Sequence, residues 1–166
     1  MLEEINNLQN YTIGSSLGNG TYGQVLEAYH NATKTKVACK FIEKNQIINS
    51  KENDIIKAQI DNELTIHKKM VHRNIIRLIQ IIETYSHIVL VLEHAENDLL
   101  QILQDGSGSF PESQAMALFF QLCLAVNYCH DQNVVHRDIK LENILLNNYT
   151  KQNKKSQSPD QEKPIS

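Results

Sequence analysis

Apolar and polar residues alternate over much of the first half of the chain, as they do in strands that bury one face. Tyr11, Ile13 and Leu17 fall on alternate positions, and short apolar runs follow at intervals. The pattern therefore predicts a small sheet whose strands cover residues 11–18, 23–30, 36–42, 78–83 and 87–93.

A helical spacing separates the third and fourth predicted strands. Over residues 54–71, a stripe of residues recurs at intervals of four and three, namely Ile56, Ile60, Glu63, His67 and Met70. A short helix is expected at residues 97–104, and Pro111 marks the start of a longer one over 111–131. A short strand should follow at residues 144–146. The apolar face of the longer helix consists of Ala115, Leu118, Phe119, Leu122, Val126 and Cys129.

Composition argues against several classes of protein. The net charge is −3 without a basic stripe, so nucleic acid is not an expected partner. No apolar run reaches the roughly 18 residues of a membrane span, so no membrane association is expected either. The polar, acidic residues 1–7 do not resemble a secretory signal. Three cysteines without a Cys-x-x-Cys pair indicate neither a disulfide framework nor a zinc ribbon. A cytoplasmic or nuclear location is expected.

Three glycines, Gly18, Gly20 and Gly23, come after the alternating segment 11–17. Without Cβ atoms they let backbone N–H groups approach phosphate oxygens closely. A dinucleotide-binding fold uses the same spacing and places an acidic residue about 20 positions later, where Glu43 lies. That alternative requires a helix after the last glycine, whereas Tyr29–Thr33 favours a strand end and a turn.

One lysine, Lys40, interrupts the apolar run Val37–Ile42. Strand alternation places it on the same face as Ala38, roughly 6.6 Å further along, so that Ala38 could lie over a flat base while Lys40 reaches phosphates. A buried ammonium needs a partner, and Glu63 on the helical stripe is the candidate. The plainer alternatives are a lysine that protects a sheet edge and a solvated glutamate.

The segment His136–Asn143 combines a carboxylate, a lysine and an amide within eight residues. Together with the glycine loop, Val37–Lys40 and Glu63, it resembles the ATP-binding and catalytic elements of the eukaryotic protein kinase family. The resemblance extends from about Tyr11 to Leu146. Lys140, two residues after Asp138, is similar to the serine/threonine branch. The segments 110–115 and 134–146 most resemble the calcium/calmodulin-dependent and AMP-activated group.

This resemblance implies a kinase-like α+β fold. A small lobe would contain a five-stranded antiparallel sheet and one helix, followed by an incomplete helical large lobe. Residues 1–10 would be an N-terminal extension and 11–146 a partial kinase domain. Within that domain, 11–95 would form the small lobe and hinge, and 96–146 the start of the large lobe through the catalytic loop. The polar segment 147–166 is expected to be a disordered tail.

The resemblance also implies roles for individual residues. Asp138 would act as the base or orient the substrate hydroxyl, Lys140 would neutralise charge on the transferred phosphate, and Asn143 would bind Mg²⁺. ATP and Mg²⁺ are the expected cofactors, and a protein serine or threonine is the expected substrate. The residues expected to bind the nucleotide are Leu17, Gly18, Gly20, Gly23, Val25, Ala38, Lys40, Glu63, Glu93, Ala95 and Leu145.

One part of the family pattern, the Asp-Phe-Gly segment, does not occur between Asn143 and Ser166. The expected function is ATP-dependent phosphorylation of serine and threonine. The alternative is a catalytically dead, nucleotide-binding or partner-binding pseudokinase fragment. A chaperone is an expected partner for the apolar face of the longer helix. If the chain is a pseudokinase fragment, a full-length kinase is an expected partner.

Overall fold

The computed structural model describes residues 8, 10–20, 23–44, 53–106 and 108–147. The predicted disordered tail lies outside the described residues from position 148 onward. Two short elements were not predicted, the two-residue strand Asn97–Asp98 and the 3₁₀ helix Leu141–Asn143. In chain order the elements are β1 Tyr11–Gly20, β2 Gly23–His30, β3 Lys36–Glu43, α1 Asn53–Lys69, β4 Leu78–Glu83, β5 His87–Glu93, β6 Asn97–Asp98, α2 Leu99–Asp105, α3 Glu112–Asp131, the 3₁₀ helix Leu141–Asn143 and β7 Leu145–Leu146.

The main sheet has five strands in the order β1-β2-β3-β5-β4, and each strand is antiparallel to its neighbours. The connections from β1 to β2 and from β4 to β5 are short, whereas α1 lies in the connection from β3 to β4. The predicted five-stranded antiparallel sheet with one helix is therefore confirmed.

One face of the sheet carries the larger core. It is built from alternate residues of the three central strands together with the segment before β1, which explains why Leu8 is only 2% exposed. The carbonyl oxygen of Leu8 accepts a hydrogen bond from the backbone N–H of Tyr11 at 2.7 Å. Leu8 thus packs with the small lobe although it belongs to the predicted N-terminal extension. The buried members of this core are Leu8, Tyr11, Leu26, Ala28, Val37, Cys39, Phe41, Val89 and Val91.

The opposite face of the sheet packs against α1. Ile60 of α1 is buried with Ile42 and Leu90, and Leu64 packs at the edge of this cluster. Of the helical stripe predicted from the sequence, Ile60 therefore packs against the sheet. Met70, which follows the end of the helix, is also buried.

The start of the predicted helix at 97–104 is wrong by two residues. Asn97 and Asp98 form β6, which pairs with β7, and α2 begins at Leu99. The Asp98 carboxylate accepts a hydrogen bond from the backbone N–H of Gln101 at 2.8 Å. Aspartate is better suited to this cap than to a helix interior, because its short side chain bonds the first free N–H groups of the helix.

Helix α3 leaves much of its apolar surface in contact with solvent. Ala125 is its one buried residue among those described, while Phe119 and Phe120 are 67% and 63% exposed. Of the predicted apolar face, Leu118, Leu122, Val126 and Cys129 are half-buried and Ala115 is exposed. None of the helices within the described residues combines the length and apolar character needed to cross a membrane.

Candidate nucleotide and catalytic site

The strand register places the predicted nucleotide-binding residues on one face of the sheet. Lys40 lies opposite Val25 of β2 and opposite Leu90 of β5. Directly opposed residues of neighbouring strands project from the same face, and Ala38 joins them two residues away. We call this surface the Lys40 face. It brings together Val25, Ala38 and Lys40, as the alternation of the sequence predicted.

The glycine loop joins β1 to β2 at one end of the Lys40 face. Gly20 pairs with Gly23, and Gly18 pairs with Val25. Gly18 and Gly23 have φ values of 149° and 148°, which L-residues rarely adopt. A Cβ atom on Gly23 would lie 1.9 Å from the carbonyl oxygen of Phe41, so the backbones approach too closely for any side chain. Leu17, just before the loop, is 45% exposed.

Glu63 is exposed on α1, because the helix turns Ile60 and Leu64 toward the sheet. The predicted pairing of Lys40 with Glu63 is not among the ion pairs found between described side chains and stays a prediction. The pairs found are Lys36–Glu27, Lys44–Glu83, His94–Glu27 and Lys140–Asp138.

The predicted hinge, residues 93–95, begins at the last residue of β5. Glu93 lies opposite Val37, and its backbone N–H donates to the carbonyl oxygen of Arg77 at 2.9 Å. Its carboxylate accepts from the backbone N–H of Arg77 at 3.3 Å. Ala95 is half-buried two residues later. Glu93 is therefore held from both its backbone and its side chain at the point where the chain leaves the sheet.

Asp138 is the centre of a compact polar cluster in the predicted catalytic loop. The Lys140 ammonium lies 3.1 Å from its carboxylate. The Asn143 side-chain amide donates to the same carboxylate and to the Asp138 carbonyl oxygen, both at 2.8 Å. The hydrogen bonds from Lys140 and Asn143 lower the pKa of Asp138, so this carboxylate is charged at neutral pH.

The backbone around Asp138 is shaped to allow these contacts. Arg137 has a φ of 65°, an unusual value for a residue other than glycine. The 3₁₀ helix Leu141–Asn143 then brings the chain back, with the backbone N–H of Asn143 donating to the Lys140 carbonyl oxygen at 3.0 Å. The sequence identified Asp138, Lys140 and Asn143, but not that one turn brings all three into contact.

The Asn143 side chain fits the predicted contact with Mg²⁺. Because its nitrogen donates to Asp138, its amide oxygen is the atom left to bind a metal ion. Within the described residues no group of three His, Cys, Asp or Glu side chains could hold a metal. Mg²⁺ is commonly bound through one or two protein oxygens together with substrate phosphates, and Asn143 can supply one of those oxygens.

Strands β6 and β7 connect the hinge to the end of the catalytic loop. Leu145 lies opposite Asp98, and the Ile144 carbonyl oxygen accepts from the Leu99 backbone N–H at 2.8 Å. Leu145 is 43% exposed. Its place beside the hinge is compatible with the predicted contact with an adenine ring.

Sequence reasoning missed a second polar cluster, formed by Glu27, Lys36 and His94. Lys36 contacts the Glu27 carboxylate at 2.8 Å, and the His94 imidazole lies 3.5 Å from it. Strand alternation could have indicated Glu27, since it is two residues after Val25 and therefore on the Lys40 face.

Comparison with known proteins agrees with this geometry. A family model described as the protein kinase domain matches residues 11–155. The carbon catabolite-derepressing protein kinase of Saccharomyces cerevisiae is 36% identical over 140 residues, which cover 84% of this chain and 21% of that protein. The serine/threonine-protein kinase SIK1 of Rattus norvegicus is 37% identical over 136 residues, which cover 82% of this chain and 17% of that protein. The SNF1-related protein kinase catalytic subunit alpha KIN12 of Arabidopsis thaliana is 37% identical over 139 residues, which cover 84% of this chain and 27% of that protein.

The chain spans about a fifth of the length of the first two of these relatives. All three are named protein kinases, and the name of SIK1 agrees with the predicted serine/threonine branch. The match to the family model covers most of the sequence and includes the sheet, the glycine loop, Lys40 and the Asp138 cluster. The chain therefore belongs to the protein kinase domain family.

Proposed function

We propose that this chain binds ATP on the Lys40 face and supplies the catalytic loop for transfer of phosphate to serine or threonine in proteins. The observation that carries the proposal is the contact of Asp138 with both Lys140 and Asn143. This arrangement holds one carboxylate in a fixed orientation beside a cation, as phosphoryl transfer requires.

In the proposed reaction the substrate hydroxyl oxygen attacks the γ-phosphorus of ATP. The bond between that phosphorus and the β–γ bridging oxygen breaks, and ADP leaves with its electron pair. The hydroxyl proton passes to Asp138. A carboxylate with a lowered pKa is a weak base, so Asp138 would act mainly by orienting the hydroxyl.

Two lysines and backbone N–H groups would neutralise the negative charge of the phosphate oxygens. Lys140 would neutralise the transferred phosphate, while Lys40 and the glycine loop would hold the other phosphates. Mg²⁺, when bound at the Asn143 amide oxygen, would neutralise phosphate oxygens as a Lewis acid. The backbone of Glu93 and Ala95 would bind the adenine.

Titration calorimetry with ATP tests the nucleotide site. Lys40→Ala should weaken ATP binding, on the order of tenfold or more, because it removes a direct charge contact with phosphate. Lys44→Ala is the matched control, since Lys44 lies just after β3 but contacts Glu83 at 2.7 Å. Equal affinity in wild type and Lys40→Ala would count against the site.

A transfer assay with Mg-ATP and serine-containing peptides tests the reaction. Phosphoserine that forms in wild type and is lost in Asp138→Asn would support the proposed kinase activity. ATP binding without any phosphoserine would favour the second candidate, a nucleotide-binding module without catalysis. The specific observation behind this second candidate is that no Asp-Phe-Gly occurs between Asn143 and Ser166.

A further inference from the structure

We infer that Glu27 is a positioning residue for nucleotide binding, because its carboxylate joins the β2–β3 hairpin to His94 of the hinge. The inference rests on the proposed function and extends it to a residue outside the kinase pattern.

Two side chains hold the Glu27 carboxylate, and a third lies close to it. Lys36 lies 2.8 Å from one oxygen, and the Tyr29 hydroxyl donates to the other at 2.9 Å. The His94 Nε2 atom lies 3.5 Å from the oxygen that faces Lys36. The side chains of Glu27 and His94 are only 15% and 9% exposed. The hairpin and the hinge therefore meet at this carboxylate.

The cluster lies next to the positions expected to line the adenine. Glu27 is directly opposite Ala38, which is in turn opposite Leu92 at the end of β5. All three side chains project from the Lys40 face. A change in the position of His94 would therefore move the backbone between Glu93 and Ala95, where adenine is expected to bind.

The Glu27 carboxylate lies near a buried polar atom of the His94 imidazole. Its Nε2 atom is buried, and within the described structure it has no hydrogen-bond partner. A buried polar atom of this kind costs free energy unless a neighbour compensates it, and the Glu27 carboxylate is the nearest compensating charge. Glu27 thereby fixes the place of a ring that would otherwise turn toward water.

Three charged groups act on His94, namely Lys36, Glu27 and Glu96, and the Tyr29 hydroxyl contacts the other oxygen of Glu27. Burial, followed by the nearby Lys36 charge, lowers the pKa of His94, while Glu27 and Glu96 oppose that change. The imidazole is therefore neutral at pH 7. Adenine at the hinge would remove more water from this ring, so binding should favour the neutral form. Nucleotide affinity should then fall as the pH decreases below the ordinary histidine value of about 6.5.

Binding of adenosine between pH 5 and pH 8 tests the inference, because adenosine has no phosphate that titrates in this range. We expect Glu27→Gln to weaken adenosine binding roughly threefold to tenfold at pH 7.5. Loss of the carboxylate charge should also lower the pKa of His94 further, so the decline in affinity should move to lower pH. Glu27→Asp should restore both properties in part, and His94→Phe should abolish the decline.

Glu83→Gln is the matched control, since it removes the exposed Lys44–Glu83 pair at another edge of the same sheet. It should bind like wild type at every pH. Wild-type affinity and pH dependence in Glu27→Gln would overturn the inference. So would a loss of affinity that is uniform in pH and not restored by Glu27→Asp, which indicates a purely structural role. If wild type bound neither adenosine nor ATP, the proposed function would fail and this inference with it.

Discussion

At the scale of single residues, the ionisation of Asp138 depends on its two neighbours in the catalytic loop. Lys140 makes the larger contribution to the lowered pKa of Asp138 and Asn143 the smaller. We therefore expect Lys140→Met to raise the pKa of Asp138 toward its ordinary value. Carbon-13 NMR titration of the carboxylate would measure the change.

The control for this titration is Lys36→Met. The hydrogen bond from Lys36 makes the largest contribution to the lowered pKa of Glu27, and Lys36 lies in β3 and not in the catalytic loop. It should raise the pKa of Glu27 and leave that of Asp138 unchanged. If Lys140→Met left the Asp138 pKa unaltered, the contact at 3.1 Å would not persist in solution.

The two glycines with positive φ should differ in their tolerance of a side chain. In Gly23→Ala the new Cβ would collide with the Phe41 carbonyl oxygen, whereas nothing lies within 4 Å of a Cβ on Gly18. Both variants incur backbone strain of about 1–3 kcal/mol. We expect urea denaturation to show a larger loss of stability for Gly23→Ala than for Gly18→Ala. Equal losses would mean that the close approach of β2 to β3 relaxes at little cost.

At the scale of elements, helix α2 depends on its N-terminal cap. The Asp98 carboxylate accepts the Gln101 backbone N–H, so Asp98→Ala should cost about 0.5–2 kcal/mol. Thermal unfolding would measure this loss. Asp98→Asn keeps an acceptor oxygen at the same position and should retain most of the stability. Equal destabilisation by both variants would show that the hydrogen bond is not the source of the effect.

The strands and helices were largely predictable because alternation and helical spacing reflect burial directly. Lys40 and Ala38 share a face as expected, since register follows from which residues are apolar. The beginning of α2 was not predictable, because the pairing of Asn97–Asp98 with Leu145–Leu146 joins parts of the chain that are distant in sequence. The place of Glu63 depends on the rotation of α1 against the sheet, which spacing alone does not determine.

The candidate site was also predictable only in part. The family pattern identified Asp138, Lys140 and Asn143, because the chemistry requires those residue types in that order. It gave no indication of the cluster of Glu27 with His94. That cluster depends on the packing of a hairpin against the hinge, and its members have no common motif.

At the scale of the whole molecule, the exposed apolar face of α3 should govern association in solution. Phe119 and Phe120 are mostly exposed, and burial of each such ring is worth roughly 1.5–3 kcal/mol. We expect the chain to self-associate with rising concentration in sedimentation experiments. The double variant Phe119→Ser, Phe120→Ser should shift it toward the monomer.

Tyr85→Ser provides the control, because Tyr85 is 96% exposed in a turn far from α3 in sequence. It removes an aromatic ring of similar size and should not change the association. Amide hydrogen exchange gives an independent measure, with weaker protection expected across Glu112–Asp131 than across the central strands. Strong, uniform protection of α3 in a monomer would contradict this prediction.

The pairing of β6 with β7 also has a consequence for how the chain folds. Few residues separate strands β1, β2 and β3 from one another, so their contacts close small loops and can form early. Asn97–Asp98 and Leu145–Leu146 must instead meet across the whole of α2, α3 and the catalytic loop. Closing that long loop costs more entropy, so this junction should form late. The catalytic loop that carries Asp138 would then be joined to the hinge only after the sheet that binds the nucleotide is already in place.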